Sequence, residues 1–249
     1  MTNIIISGAN GHMGHVIAEI VAGREDCQIV AGVDQYTQTY GDFPIYSTWN
    51  GCETPGDVII DFSNPSLLDE LLEYAKQHHT PAVIATTGYA KEQMAQIHQA
   101  AEEVPIFFSF NMSLGINLLV ELAKKAAAVL GDQFDIEIIE KHHNLKVDAP
   151  SGTAIMLADA VNQAAHERYE YVYDRHAVRK KRGPQEIGIH SVRGGTIVGE
   201  HEVLFAGRDE LITLSHSARS KQVFAVGAVN AALFLQDKTP GLYDMSQLI

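Results

Sequence analysis

The chain has 249 residues, a formal net charge of −13 at pH 7 and a hydrophobic content of 46%. These values predict one large or two modest folded domains with a substantial core. The charge argues against non-specific binding to nucleic acid or anionic membranes, and an anionic substrate would need a locally positive pocket. No apolar run reaches membrane-spanning length, no basic segment precedes the first apolar residues, and two cysteines lack metal-ligand spacing, so we expect a cytoplasmic protein.

A short apolar strand, residues 4–6, is followed at once by a glycine-rich turn and then by apolar residues at helical spacing. The turn reads Gly8-Ala9-Asn10-Gly11-His12-Met13-Gly14. Gly8 permits a tight turn, Gly11 allows the backbone to approach a pyrophosphate, and Gly14 lets the helix pack close to the strand. The motif alone is a weak signal that an ordinary turn would also satisfy. Its position between a strand and a helix predicts a dinucleotide-binding site.

The second strand, residues 28–33, ends at Asp34, roughly 20 residues beyond the glycines, where such sites carry a ribose-binding carboxylate. A carboxylate repels the 2′-phosphate of NADP, and no arginine or lysine follows Asp34 until Lys76. His12, in the glycine turn, is the one residue that could offset the repulsion of a 2′-phosphate. The sequence therefore predicts a preference for NADH, with NADPH as a possible second cofactor.

Strands at residues 58–62, 81–85 and 105–109 alternate with helices at residues 66–75 and 91–102, after a loop-rich segment at 35–55. This alternation predicts a Rossmann-like, doubly wound parallel sheet. Ligands bind at the carboxyl ends of such strands. The strands here end in small or polar residues, which suits a nicotinamide site: Ser63, Thr86, Thr87, Gly88, Asn111 and Ser113.

The second half predicts an α+β domain with a mixed or antiparallel sheet. A helix at 114–130 precedes a strand from residue 134, and another helix follows Ser151. Four strands are predicted at 186–192, 196–199, 202–205 and 210–215, with residues 193–195 as a mobile turn. The basic residues within 167–184 are interpreted as a solvated loop. A last helix, 223–235, returns to the first domain, so the predicted domains are 1–112 with 222–249, and 113–221.

The segment from Glu137 to Ala154 carries the chemistry. A strand leads into His142, His143 and Lys146, and then into Pro150-Ser151-Gly152-Thr153 at the start of a helix. The helix N-terminus and Lys146 suit an anion, and an imidazole can donate a proton near neutral pH. The ordinary alternative is a capped turn with one histidine on each face of a strand. A metal site at His142 or His143 lacks a third ligand at suitable spacing.

The sequence resembles the dihydrodipicolinate reductase family, the 4-hydroxy-tetrahydrodipicolinate reductases of lysine and diaminopimelate biosynthesis. Residues 137–154 fit its long pattern E-x-x-E-x-H-H-x-x-K-x-D-x-P-S-G-T-A. Further matches are the glycine turn, Ala85-Thr86-Thr87-Gly88, Asn111-Met112-Ser113-Leu114-Gly115, Ser191-Val192-Arg193-Gly194-Gly195 and Val198-Gly199-Glu200-His201. The resemblance extends over essentially the whole chain.

The resemblance implies a general acid at His142 and a catalytic or substrate-orienting lysine at Lys146. It implies that a dicarboxylate is held by His143, Ser151, Gly152 and Thr153. Together with the glycine motif it predicts a cofactor-binding set: Gly8, Gly11, His12, Met13, Gly14, Asp34, Thr86, Thr87, Gly88, Asn111 and Met112. It also implies a homotetramer whose second-domain sheets associate, and two domains that close on ligand. The chain departs from the family at His12, Met112 and Lys221, where arginine, an aromatic residue and arginine are common.

Two other functions fit the same features. One is an NAD-dependent dehydrogenase of another small anionic acid, such as an amino acid. The other is a protein that senses NAD(H) without turnover, for which the dinucleotide-binding half suffices but the proton donor would be unnecessary. Product analysis distinguishes the dehydrogenase from the reductase. An NADH oxidation assay with the reductase substrate distinguishes the sensing protein from an enzyme.

Overall fold

The computed structural model describes residues 1–248, which form two compact units. The first unit contains Met1–Leu114 and the segment that begins at Lys221, and the second unit is Gly115–Ser220. Within residues 1–248, none of the helices combines the length and the apolar character needed to cross a membrane.

The strands in chain order are β1 (Thr2–Ser7), β2 (Cys27–Val33), β3 (Ile45–Tyr46), β4 (Val58–Asp61), β5 (Ala82–Ile84), β6 (Pro105–Phe108), β7 (Asp135–His142), β8 (Glu170–Val172), β9 (Glu186–Arg193), β10 (Gly199–Ala206), β11 (Leu211–Ala218) and β12 (Gly241–Tyr243). The helices are α1 (His12–Ala22), α2 (Leu68–His78), α3 (Lys91–Ala100), α4 (Leu114–Leu130), α5 (Gly152–Ala164) and α6 (Gln222–Leu235).

The first unit is a seven-stranded parallel sheet with the order β12-β6-β5-β4-β1-β2-β3. Its central strands are continuous apolar runs, such as Ile4-Ile5-Ile6, that are fully buried because helices cover both faces. Residues of α1 and α6 pack on one face, and those of α2 and α3 pack on the other. The predicted Rossmann-like sheet is confirmed. Strands β3 and β12 were missed because two or three residues are too few to show a period.

The second unit is a five-stranded mixed sheet with the order β11-β10-β7-β9-β8. The central strand β7 is antiparallel to β10 and parallel to β9. One face carries Ile136 and Ile138, which pack with residues of α4 and α5 in a single apolar cluster. The predicted α+β architecture is therefore confirmed, and the strand that leads to His142 lies at the centre of this sheet.

Three local predictions in this unit were wrong. Residues 196–199 and 202–205 do not form two strands: β10 runs without interruption from Gly199, because it pairs with β11 over eight residues. Arg193 is the last residue of β9 rather than part of a mobile turn. The segment 167–184 is not simply a solvated loop, because it contains β8 and because Arg175 and Arg182 bind carboxylates of the sheet.

Candidate active site

The candidate site is built on the end of β7. Alternate residues of this strand point to the buried face, and the apolar Ile136 and Ile138 are followed there by Glu140 and His142. Glu140 is completely buried, and His142 is 8% exposed. A carboxylate and an imidazole thus take the last two core positions of the strand. A buried charge at such a position requires partners.

Glu140 binds three groups through its two carboxylate oxygens. Its Oε2 lies 2.5 Å from Nδ1 of His142, and both oxygens accept hydrogen bonds of 2.7 Å from the two terminal nitrogens of Arg193. The backbone N–H of Ser151 donates to Oε1 over 3.1 Å. Burial alone would raise the pKa of Glu140, but hydrogen bonds from Arg193, Ser191 and His142 outweigh it and lower that pKa to about 2. The carboxylate is therefore ionised and held on both sides.

The contact with Glu140 determines which nitrogen of His142 carries a proton in the neutral ring. Nδ1 faces the carboxylate, which can only accept, so Nδ1 carries a proton. Nε2 has no hydrogen-bond partner among residues 1–248. It is also absent from the fully buried polar atoms that lack a partner, so it is not completely enclosed. It approaches Gly199 so closely that a Cβ there would lie 3.1 Å from it. Burial lowers the pKa of His142, although Glu140 opposes the effect. His142 can therefore give up a proton from Nε2 readily.

A second histidine, His201 on β10, supports the same region. Its ring contacts that of His142 edge to face, with centroids 5.1 Å apart, and its Nε2 lies 2.9 Å from Oγ of Ser151. Burial, reinforced by the nearby His142, lowers the pKa of His201 to about 3, so this imidazole is neutral at physiological pH. Ser151 Oγ also accepts from the N–H of Ala154 and so caps α5. His201 thereby helps to fix the start of α5.

The residues predicted to hold an anion lie around this helix start. Lys146 is in the turn after β7, where its ammonium group is 2.8 Å from a carboxylate oxygen of Asp148. Gly152 opens α5, is exposed, and has nothing within 4 Å of the position that a Cβ would take. The open space over Gly152 therefore meets a helix N-terminus, with its partial positive charge. In this unit, the structure brings together the predicted His142, Lys146, Ser151, Gly152 and Thr153, with His143 in the adjoining turn.

The predicted cofactor residues of the glycine turn lie between β1 and α1 in the first unit. Gly8 has φ +79°, a conformation that favours glycine, and a Cβ at Gly14 would lie 2.3 Å from the carbonyl oxygen of Ala9. Gly11 is the N-cap residue of α1, and no side chain caps the first turn of this helix. His12 and Met13 begin the helix, with His12 exposed. An uncapped first turn behind a tight glycine turn fits the pyrophosphate of a dinucleotide.

Asp34 follows β2, and its carboxylate is fixed from two directions. One oxygen accepts from the N–H of Asn10 and the other from the N–H of Tyr36, each over 3.0 Å. The carboxylate thus joins the glycine turn to the segment after β2. In the described part of the chain, no lysine or arginine forms an ion pair with it. The residues present fit a ribose with free hydroxyl groups.

The remaining predicted cofactor residues follow β5 and β6. Oγ1 of Thr86 accepts from the N–H of Ser63, and Thr87 and Gly88 are exposed, with φ +89° at Gly88. The loop after β6 contains Asn111 and Met112. The side chain of Met112 is buried in the core of the first unit, so the structure places this side chain in packing contacts.

Sequence reasoning missed Glu140, Arg193 and His201. The signal for Glu140 was present, because a residue two positions before His142 in a strand shares its face. Arg193 could not be found this way, since it meets Glu140 across 53 residues through the pairing of β9 with β7. His201 was noted in a motif, but its contact with Ser151 depends on the antiparallel pairing of β10 with β7.

Comparisons with known proteins identify the family of this chain. Family models described as dihydrodipicolinate reductase, N-terminus and C-terminus, match residues 2–112 and 115–249. The chain is 52% identical to the 4-hydroxy-tetrahydrodipicolinate reductase of Caldanaerobacter subterraneus subsp. tengcongensis and 47% identical to that of Clostridium novyi, over all of this chain and 98% of each relative. A solved structure of dipicolinate-bound dihydrodipicolinate reductase from Paenisporosarcina sp. TG-14 superposes with a TM-score of 0.83 at 27% identity, over the full length of both chains. The chain therefore belongs to the dihydrodipicolinate reductase family.

Proposed function

We propose that this protein is an NAD(P)H-dependent reductase that converts 4-hydroxy-tetrahydrodipicolinate into tetrahydrodipicolinate with loss of water. The observation that carries the proposal is the Glu140–His142 pair at the end of β7, next to Lys146 and the open N-terminus of α5. Relatives that carry the reductase name cover the whole chain, and the related Paenisporosarcina structure binds dipicolinate, a planar dicarboxylate.

Lys146 and the N-terminus of α5 hold the carboxylates of the substrate. The ammonium group of Lys146 and the N–H groups of the first turn present positive charge on one side of the open space over Gly152. On substrate binding, the ammonium group of Lys146 leaves Asp148 and pairs with a substrate carboxylate. The ion pair with Asp148 is weak because the Asp148 side chain is largely exposed to water. His143, Ser151 and Thr153 complete the set of side chains assigned to the substrate.

His142 supplies the proton. When bound, the reduced nicotinamide supplies a hydride. Imidazolium at His142 gives the Nε2 proton, the hydroxyl group leaves as water, and the ring keeps its remaining proton on Nδ1 against Glu140. One hydride and one proton enter and one water leaves, so the reaction balances. Proton transfer from a positioned acid accelerates reactions by about 10²–10⁴-fold.

NADH is the preferred cofactor in this proposal. The support is the side-chain carboxyl group of Asp34, which accepts hydrogen bonds from the N–H groups of Asn10 and Tyr36 and has no compensating basic residue between Arg24 and Lys76 in the sequence. The glycine turn and the strand ends hold the cofactor through the eleven residues named above, among which Met112 contributes only its backbone, because its side chain packs in the core.

The working form in this proposal is a cytoplasmic homotetramer, assembled through the sheets of the second units. The face of that sheet opposite α4 and α5 carries part-exposed residues on β10 and exposed ones on β11, so it is available to a second copy. Two buried free cysteines, Cys27 and Cys52, are compatible with a reducing compartment.

The test is NADH oxidation with enzymatically generated 4-hydroxy-tetrahydrodipicolinate, followed by product analysis. We expect His142→Gln to lower kcat by roughly 10²-fold or more, with NADH affinity nearly unchanged, because a proton donor is lost. Lys146→Met should lower kcat and raise KM, because a substrate cation is lost. His98→Gln, an exposed change on α3, is the control.

Near-wild-type turnover in His142→Gln would remove this residue from its role. Wild-type protein that binds NADH but turns over no substrate would support the sensing alternative. Turnover of another small acid in place of this substrate would support a dehydrogenase.

A further inference from the structure

We propose that Glu140 and Arg193 are positioning residues that determine which nitrogen of His142 delivers the proton. Glu140 keeps a proton on Nδ1, so that Nε2 alone acts as acid and later as base, and Arg193 holds Glu140 in that orientation. This inference rests on the proposed function, in which His142 is the proton donor.

The first support is the rigidity of the carboxylate. Glu140 is fully enclosed, and each of its oxygens takes one hydrogen bond from Arg193. The remaining positions are filled by Nδ1 of His142 and the N–H of Ser151. Rotation of the carboxylate would break all four contacts inside the core, where unpaired charge is costly. Glu140 therefore has one orientation and acts as an acceptor only.

The second support is what this acceptor requires of the imidazole. Neutral histidine carries one N–H, and the tautomer is set by the hydrogen bond that the other nitrogen makes. A fixed acceptor at Nδ1 retains the N–H there. Nε2 is then the basic atom of the neutral ring and the donor atom of the charged ring. Gly199 leaves the space beside Nε2 open because it has no side chain.

The third support is the balance of charge around the ring, which comes from four elements. Glu140 on β7 favours the charged imidazolium. Arg193 on β9 and Lys146 in the turn after β7 oppose it. His201 on β10 contacts the ring and is neutral. Removal of Glu140 should thus make imidazolium harder to form, and removal of Arg193 should make it easier. A residue that served packing alone would not produce opposite effects.

The experiment follows the single-turnover rate of NADH oxidation against pH in Glu140→Gln and Arg193→Gln. The alkaline limb of this profile reports loss of the protonated acid. In Glu140→Gln we expect its midpoint to move down by about one pH unit or more, which lowers the rate about tenfold above the wild-type midpoint. In Arg193→Gln we expect the midpoint to move up. Glu102→Gln is the control, because it removes an exposed carboxylate in the first unit, which the proposal gives no role.

A second measurement reads the tautomer without substrate or turnover. Histidine-selective ¹⁵N NMR should show neutral His142 protonated at Nδ1 in the wild type, with His142→Gln to assign the signal. In Glu140→Gln the amide oxygen faces Arg193 and the amide N–H faces Nδ1, so the proton should move to Nε2. If Glu140→Gln does not fold, Arg193→Gln decides the matter, since Arg193 lies at the strand end and is less enclosed.

Unshifted midpoints in folded Glu140→Gln and Arg193→Gln, or a wild-type His142 protonated at Nε2, would overturn the inference. Failure of the proposed function looks different. In that case wild-type protein forms no product, while the NMR spectra still report whether Glu140 sets the tautomer.

Discussion

In the proposed function, the choice between NADH and NADPH depends on the carboxylate of Asp34. It is held by the N–H groups of Asn10 and Tyr36, so it cannot turn away from a neighbouring phosphate without losing both contacts. Like charges placed together in a binding site cost several kcal/mol. A fixed carboxylate therefore selects against a 2′-phosphate more strongly than a mobile one would.

We expect Asp34→Ser to raise kcat/KM with NADPH relative to NADH by roughly tenfold or more, since tenfold corresponds to about 1.4 kcal/mol. Serine retains one acceptor for the backbone N–H groups but carries no charge. Steady-state kinetics with both cofactors measures the ratio, and Asp42→Ser, an exposed change in the same segment, is the control. Equal efficiency of wild-type protein with the two cofactors would contradict the proposed preference.

Among individual residues, those that lie close together in the sequence could be predicted as a site. Residues that reach the site through pairing of distant strands could not. His142, Lys146 and Ser151 follow one another in a single segment, so their proximity could be predicted. Arg193 reaches Glu140 only because β9 lies parallel to β7 in a register that aligns His142 with Arg193. The residues around Arg193 do not show that β9 pairs with β7 at all, because the pairing joins residues 53 positions apart in the chain.

Among the elements, the segment after α5 shows why composition alone misleads. A basic run is usually solvated, yet Arg175 and Arg182 both bind Glu137, and Arg182 also donates to three backbone carbonyl groups. Glu137 in turn accepts from His190. The arginines thus anchor this segment across β7 and β9, an arrangement that requires knowledge of which carboxylates the sheet presents.

The proposed homotetramer can be tested at β11, the strand at one edge of the sheet in the second unit. Thr213 is exposed on β11 and lies opposite Leu204, on the face away from α4 and α5. We expect wild-type protein to have about four times the 27.2 kDa chain mass by light scattering. Thr213→Arg should lower that mass, because a charge buried between copies is costly.

The matched control is Gln99→Arg on α3 of the first unit, which adds the same charge at an exposed helical position. A wild-type mass equal to that of one chain, or an unchanged mass in Thr213→Arg, would contradict assembly through this face.

For the whole molecule, the architecture could be predicted because alternation of apolar strands and amphipathic helices is a repeated signal. Five of the seven strands in the first sheet were predicted from this signal, and the two that were not, β3 and β12, are only two and three residues long. Strand order within the second sheet could not be predicted, because β9 and β10 pair with β7 from distant parts of the chain and no local signal names their partner. The physical consequence of that order is that two buried histidines meet beside one carboxylate.

That cluster makes the stability of the folded chain depend on pH. His201 has a pKa of about 3 when folded, because burial disfavours its charged form, against about 6.5 when unfolded. Between these values the unfolded chain binds more protons, so the free energy of unfolding falls as the pH drops below about 6.5. At pH 5, His201 lowers the free energy of unfolding by about 2 kcal/mol. The lowered pKa values of His142 and His216 act in the same direction.

His201→Gln removes this titration while leaving an amide near Ser151. We expect the loss of unfolding free energy between pH 7.5 and 5 to be smaller in His201→Gln than in wild type by about 2 kcal/mol. Urea unfolding at one fixed protein concentration measures it, since association shifts apparent stability. Glu140 does not enter this window, because its pKa of about 2 affects stability only as the pH falls below about 4.5. An equal loss in His201→Gln and wild type, with exposed His98→Gln as the reference, would show that His201 titrates alike in both states.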